Sequence, residues 1–99
     1  MTVYIYALID PRDNSSRYVG MTRDPNKRLY QHRSKSHNEE IKVWASELDD
    51  LGLSPTMRIL EEVDDGDDWR ISETYWVRQA LKEGWPILNK KTGGDNSPL

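Results

Sequence analysis

Cysteine and phenylalanine are both absent from this chain of 99 residues. Without cysteine the protein has no disulfide bonds, no thiolate metal site and no cysteine nucleophile, which is typical of a reducing compartment. No apolar run approaches the roughly 20 residues that are needed to span a bilayer. The N-terminal stretch MTVYIYALID also lacks the basic leader of a signal peptide. We therefore expect a cytoplasmic protein that has no membrane partner.

Large aromatic residues are present despite the lack of phenylalanine. Four Trp and five Tyr supply apolar side chains with polar tips. A length of 99 residues allows one modest hydrophobic core and is too short for two. We therefore predict a single domain over residues 1–99, with 92–99 as a loop-like tail.

The net charge of −3 is spread unevenly along the chain. Residues 1–37 carry +4, residues 38–83 carry −8 and residues 84–99 carry +1. An overall negative charge disfavours tight non-specific DNA binding by the whole surface. The distribution allows two interpretations, an ordinary mixed surface or a protein with one side that faces a polyanion and an acidic back.

The first 22 residues have the pattern of a β-hairpin. VYIYALI is rich in β-branched and aromatic residues and predicts a strand, and RYVGMT predicts a second one. The intervening DPRDNSS is a typical turn sequence. Gly20 interrupts the second strand, which indicates either a bulge or the close approach of another group.

The rest of the chain alternates helical and extended patterns. Asp24 and Pro25 suit the cap and first position of a helix, and Ser36 with Glu39 has capping-box spacing for the next one. Gly52 is a natural helix stop. The predicted elements are helices at 25–34 and 36–52, a strand at 56–63, a helix from about 67 to 82 and a short ordered segment at 85–89.

The last predicted helix contains a carboxylate in an unexpected position. Read as a helix, WRISETYWV places Trp69, Glu73, Trp76 and Val77 on one face. An unpaired charge in an apolar stripe is costly to bury. Glu73 therefore needs either a partner within the fold, such as a tyrosine hydroxyl or an arginine, or an external cation.

Several other polar and aromatic residues are candidates for a site, although each has an ordinary explanation when it is taken alone. Tyr6 and Tyr18 are on the hairpin, where tyrosine commonly fills the edge of a core. Arg28 and His32 are four residues apart and share one side of their predicted helix, which would be a solvated basic face. Asn89 would be a turn or cap residue.

Taken together, these residues form a recognisable series along the chain. It consists of YIY at 4–6, YVG at 18–20, Arg28 and His32 on a helix, Glu73 on a later helix, and Asn89. The series resembles the GIY-YIG nuclease family, in particular its compact single-domain members, and the resemblance extends from Val3 to about Gly94. It implies an α/β (α+β) fold with a three-stranded antiparallel sheet flanked by helices, and metal-dependent hydrolysis of a DNA phosphodiester bond.

The resemblance assigns the two motif tyrosines to Tyr6 and Tyr18, one of which would deprotonate or orient the attacking water. A tyrosine with its reference pKa near 10 is a poor base. Some family members carry a lysine after the glycine of the second motif, where it lowers a tyrosine pKa, whereas this chain has Met21 there. His32 or the metal is expected to take over that role. Tyr4 stands where the first motif has glycine.

The remaining roles concern the phosphate and the cation. Arg28 would hold the phosphate, Glu73 would bind one Mg²⁺ or Mn²⁺ ion, and Asn89 would order the site. A hard cation keeps most of its waters and is held by one or two carboxylates, so a single Glu can anchor it. The resemblance makes DNA the partner, and basic residues expected to contact it are Arg17, Lys27, Arg33, Lys35, Lys90 and Lys91.

An alternative function class stays open at this point. The chain could be a non-catalytic nucleic-acid-binding or protein-interaction module that keeps the fold, and the acidic middle segment favours this interpretation. The joint presence of Tyr6, Tyr18, Arg28, Glu73 and Asn89 favours the nuclease, since a binding module has no need of all five. Because the net charge is negative, a homodimer or a partner protein would supply DNA affinity.

Overall fold

The computed structural model describes residues 2–34, 38–64 and 66–89, and it contains three strands and three helices in these ranges. The elements are β1 Thr2–Asp10, β2 Ser15–Thr22, α1 Pro25–Ser34, α2 Glu39–Asp50, β3 Thr56–Asp64 and α3 Trp69–Lys82. The order β-β-α-α-β-α confirms the predicted α+β fold. Lys35, Lys90, Lys91 and the predicted tail at 92–99 lie outside the described residues.

The three strands form one antiparallel sheet in the order β2-β1-β3. Tyr6 in the central strand pairs with Gly20 of β2 and with Ile59 of β3. The hairpin turn between β1 and β2 closes with a 2.7 Å hydrogen bond from the Asn14 N–H to the Asp10 carbonyl. Asn14 has a φ of 62°, a left-handed conformation that Asn tolerates better than most residues.

Alternation along the strands gives the sheet two different faces, and both are covered by helices. On one face, α3 packs against apolar side chains of all three strands; this cluster contains Val3, Ile5, Val19, Val63, Val77 and Ala80. On the other face, α1 and α2 cover a cluster that contains Tyr6, Leu8, Ile41, Trp44 and Leu48, with Tyr18 and Leu29 at its margin. The sheet therefore lies between two helical layers. Within the described ranges, no helix is long and apolar enough to cross a membrane.

Polar caps and left-handed glycines define the helix ends. Asn38 caps α2, and its side-chain oxygen accepts hydrogen bonds from the backbone of Glu40 at 2.9 Å and of Ile41 at 3.3 Å. The predicted start of this helix at Ser36 is therefore wrong, because the nearer amide of Asn38 satisfies the first free N–H groups. Gly52 follows α2 with a φ of 74° and confirms the predicted stop.

A buried carboxylate connects the hairpin turn to α2. Asp10 is fully buried and accepts hydrogen bonds from the Arg12 guanidinium at 2.7 Å and from the Trp44 indole N–H at 2.9 Å. The Arg17 guanidinium lies 3.4 Å from the same carboxylate. The hydrogen bond from Arg12 holds the pKa of Asp10 well below its usual range, although burial opposes this shift.

We expect Asp10→Asn to lower the free energy of unfolding by about 3 kcal/mol at pH 7, because it leaves Arg12 and Arg17 without their buried partner. A depressed folded-state pKa gives stability that is complete above the unfolded pKa near 4 and is lost as the pH falls further. The difference in the free energy of unfolding between variant and wild type, measured with urea, should therefore be smaller at pH 2 than at pH 7. Asp50→Asn, at an exposed carboxylate of α2, is the control. A difference that stays the same at both pH values would contradict this account.

Candidate active site

Three aromatic rings come together where β1, β2 and α1 meet. The Tyr6 hydroxyl and His32 Nε2 share a hydrogen bond of 2.7 Å. The Tyr18 ring lies 5.3 Å from the His32 ring and 6.2 Å from the Tyr6 ring, measured between centroids. Tyr6 and His32 are buried and Tyr18 is partly exposed. We call Tyr6, Tyr18 and His32 the ring cluster; its members come from two strands and a helix.

Gly20 leaves the space that the ring cluster occupies. A Cβ atom at Gly20 would lie 2.8 Å from the Tyr6 hydroxyl oxygen and 2.8 Å from Cε2 of Tyr18. Of the two sequence interpretations, close approach is confirmed and a bulge at Gly20 is wrong. The register shifts of β1 occur instead between Leu8 and Ile9 against β2, and between Ile5 and Tyr6 against β3.

His32 is held in a neutral form by its surroundings. Burial lowers the pKa of His32 to about 4, and the positive charge of Arg28, one helical turn away, lowers it further in the same direction. Its Nδ1 atom is buried and has no hydrogen-bond partner among the described residues. At neutral pH the imidazole is therefore uncharged, and the bond to Tyr6 engages its other nitrogen.

A shallow groove of about 290 Å³ adjoins this region along the start of α1. It is lined by Met21, Thr22, Arg23, Asp24, Lys27, Arg28 and Gln31. Asp24 accepts a hydrogen bond from the Lys27 backbone at 3.1 Å, as expected for the predicted cap. Thr22, Arg23 and Gln31 were not among the sequence candidates. Gln31 could have been found, because it follows Arg28 by three residues and so shares its side of the helix.

Asn89 is attached to β2 directly beside the ring cluster. Its side-chain oxygen accepts a hydrogen bond from the Val19 N–H at 3.0 Å, and its amide nitrogen donates to the Val19 carbonyl at 2.7 Å. The amide thus pairs with the edge strand as the backbone of another strand would. The preceding Leu88 donates its N–H to the Arg17 carbonyl. Asn89 therefore fixes the strand between Tyr18 and Gly20.

Glu73 belongs to α3, the helix that packs against the Val3 and Ile5 cluster. It is 2% exposed on the inward face of this helix. The predicted stripe is confirmed, since Val77 is buried and Trp69 and Trp76 pack against the same cluster. Glu73 also has a hydrogen-bonding or electrostatic partner within the chain.

The metal ligand that the resemblance implies is a single carboxylate, Glu73. The described ranges contain no group of three or more His, Asp or Glu side chains able to hold a metal ion. A closed zinc site needs such a group. A single carboxylate such as Glu73 fits a hard cation like Mg²⁺, which keeps several waters and takes further oxygen ligands from a substrate phosphate.

The basic residues proposed for DNA contact are in different situations. Lys27 is exposed and lines the groove. Arg17 donates to the Ser15 hydroxyl at 2.8 Å, and the Arg33 guanidinium donates twice to the Pro55 carbonyl, at 2.8 and 3.1 Å. Both arginines therefore have contacts within the fold that a phosphate would have to replace or share.

We expect Gly20→Ala to disrupt the ring cluster, because the added Cβ would overlap the Tyr6 hydroxyl. Overpacking of this kind costs about 1–3 kcal/mol. Urea unfolding measures the loss of stability, and the NMR signals of the His32 imidazole report on its bond to Tyr6. Gly66→Ala is the control, since a Cβ there meets no atom within 4 Å. Equal stability of the two variants would show that the cluster tolerates the extra carbon.

Comparison with known proteins identifies the family to which this arrangement belongs. The model of the GIY-YIG catalytic domain matches residues 2–85. No curated protein and no solved structure matches the chain significantly. The matched range contains the ring cluster, Gly20, Arg28 and Glu73, while Asn89 lies just beyond it. Because the match covers most of its length, the chain belongs to the GIY-YIG nuclease family.

Proposed function

We propose that this protein is a divalent-metal-dependent endonuclease that hydrolyses DNA phosphodiester bonds. The observation that carries the proposal is the ring cluster of Tyr6, Tyr18 and His32 beside Arg28 and its groove, in a chain of a nuclease family. Phosphodiester hydrolysis needs an activated water, relief of charge on the phosphate oxygens and help for the departing oxygen. The cysteine-free sequence fits a cytoplasmic location for this activity.

His32 would activate the tyrosine to which it is bonded. A buried N–H without a partner is costlier than a buried lone pair, so the unpaired Nδ1 favours the tautomer with the proton on Nε2. That N–H would donate to the Tyr6 oxygen and stabilise its phenolate form. Tyr18 is the more exposed tyrosine and could contact the water directly. Either tyrosine could orient or deprotonate the nucleophile.

Arg28 and Lys27 would have different roles in binding the DNA phosphates. The guanidinium of Arg28 is planar and permanently charged, which suits two oxygens of one phosphate. It is half-buried next to His32, so its position is restricted. Lys27 is exposed on the rim of the groove and would act on the encounter with DNA.

Glu73 would hold the single Mg²⁺ or Mn²⁺ ion, and Asn89 would keep β2 in place. When it is bound, the cation supplies Lewis-acid stabilisation of the phosphate charge. Since Glu73 is buried and has a partner in the fold, its carboxylate must exchange that partner for the cation. Given the net charge of −3, a homodimer or a partner protein would add to the DNA affinity.

A second candidate function follows from the same carboxylate. If the partner of Glu73 is permanent, the chain is a non-catalytic nucleic-acid-binding or protein-interaction module. Incubation with labelled linear, flapped and branched DNA, with EDTA, Mg²⁺ or Mn²⁺, separates the two functions. Cleavage that depends on the metal supports the nuclease, and binding without any cleavage supports the module.

We expect Arg28→Ala to reduce the single-turnover cleavage rate at saturating protein by about 100-fold, the usual loss when one transition-state donor is removed. Lys27→Ala should weaken binding and leave that rate within a few-fold of wild type. The Arg28 variant should also raise the pKa of His32 above about 4, since a positive charge is removed. Equal rate losses in the two variants would contradict the role of Arg28.

Glu73→Gln keeps the shape of the side chain and removes its charge. If Glu73 is a metal ligand, Mn²⁺ should raise the melting temperature of the wild type but not that of the variant, and the variant should lose cleavage. If Glu73 only serves its partner within the fold, Mn²⁺ should change the melting temperatures of wild type and variant equally, and the loss of stability in the variant should be the same in EDTA and in Mn²⁺. Melting curves of both proteins in EDTA and in Mn²⁺ measure this difference.

A further inference from the structure

The outward side of α3 differs in composition from the rest of the acidic surface. A shallow groove of about 520 Å³ lies there, lined by Arg70, Ile71, Thr74, Tyr75, Arg78, Gln79 and Lys82. We call these seven residues the α3 outer face. The only acidic residue of the helix is Glu73, and it points into the core. Three cations are therefore gathered on one side of the helix, with carboxylates only at its two ends, where Asp68 lies near Arg70 and Glu83 accepts a hydrogen bond from Gln79.

The cations of this face are available to an external ligand. Arg78 and Lys82 are exposed and make no ion pair with any residue in the described ranges. The Arg70 guanidinium lies 3.7 Å from the Asp68 carboxylate and 5.0 Å from the centre of the Trp69 ring. Its side chain is nevertheless exposed. The charge of this face is thus largely uncompensated.

The face combines exposed apolar surface, from Ile71 and Tyr75, with three cations that suit a phosphate backbone. Apart from Ile71, every lining residue carries a side-chain donor, and three of them carry a permanent charge. Phosphate oxygens only accept hydrogen bonds, so they match such a surface. Arg70 to Lys82 covers about 18 Å of helix, the length of roughly five base pairs along one strand. A second copy of α3 would fit poorly, because the same three cations would face each other.

The α3 outer face and the ring cluster lie on opposite sides of the sheet. The molecule measures 24 Å across in its shortest direction. Because α1 and α3 cover opposite faces of the sheet, a straight duplex that lies along the groove of Arg28 is directed away from Arg78. Only a second DNA segment, or the other arm of a branched or sharply bent substrate, can reach both surfaces.

We propose that the α3 outer face is a second DNA-binding surface, which holds the backbone of another segment while the ring cluster faces the segment to be cut. The proposal rests on the proposed function only in taking DNA as the substrate. A second surface predicts a preference for branched or looped DNA over a linear duplex. It would also contribute DNA affinity in a chain whose net charge is −3.

Binding measured in EDTA tests this surface independently of cleavage. Fluorescence anisotropy of a labelled three-way junction and of a linear duplex of equal length is recorded from about 50 to 200 mM KCl. Wild-type protein should bind the junction more tightly. Arg78→Glu should weaken junction binding about 10-fold and lower the slope of log K against log salt by about 1, and adding Lys82→Glu should lower it by about 2. The affinity for the linear duplex should fall less in both variants.

Lys42→Glu is the matched control, because Lys42 is an exposed cation on α2 and the substitution changes the net charge by the same amount. Thermal melting checks that all variants are folded. Equal weakening by Arg78→Glu and Lys42→Glu overturns the proposal, and so does a junction bound no more tightly than the duplex. If Arg78→Glu has no effect on DNA, the face belongs to another partner, such as an acidic protein, and the proposal also fails.

The two proposals fail in different ways. If no metal supports cleavage but the salt dependence of junction binding still changes in Arg78→Glu, the catalytic function is wrong and the second surface stands. If the wild type cleaves DNA and Arg78→Glu binds the junction as the wild type does, only the second surface is wrong.

Discussion

The hydrogen bond between Tyr6 and His32 depends on a single missing side chain. Gly20 is directly opposite Tyr6 in the sheet, and a Cβ there would come within 2.8 Å of the tyrosine hydroxyl oxygen. Both polar groups are buried, so each would be costly without the other. The bond satisfies them together and connects β1 to α1. The position of Arg28, one turn before His32, follows from the same contact because both are on one rigid helix.

The sheet also separates two electrostatic surroundings. On the side of α1, a neutral imidazole and two tyrosines lie near Arg28, and burial together with that charge keeps protons off His32. On the side of α3, a nearly inaccessible Glu73 lies among tryptophans, while the cations of that helix face outward. A chain with a net negative charge can thus present positive charge locally to a polyanion at two places. The local distribution of charge therefore determines where a polyanion can bind, while the net charge mainly limits its non-specific attraction to the protein.

Local patterns predict the strands, the helices and the inward stripe of α3, because alternation and helical periodicity are properties of short segments. They also place Tyr6, Tyr18, Arg28 and His32 on elements that do meet. Contacts between distant segments could not be predicted. Local rules do not distinguish Asn38 from Ser36 as the cap of α2, since the side chains of both residue types accept hydrogen bonds from backbone N–H groups. In the fold, the Asn38 amide also donates to the Leu88 carbonyl at 3.2 Å, fifty residues away. The Asp10–Trp44 bond and the pairing of Asn89 with Val19 are long-range in the same sense.

The burial of Glu73 bears on when a cation could bind. The cost of a desolvated carboxylate is met in the free protein by its partner within the chain, so a cation in solution must compete with that partner and with its own hydration. A substrate phosphate changes this balance, because it adds oxygen ligands and negative charge. On the proposed function, metal affinity and DNA affinity therefore reinforce each other, as linkage requires for two ligands that contact one another. A single protein carboxylate then suffices, and the metal would be held firmly only in the presence of the bond to be cut.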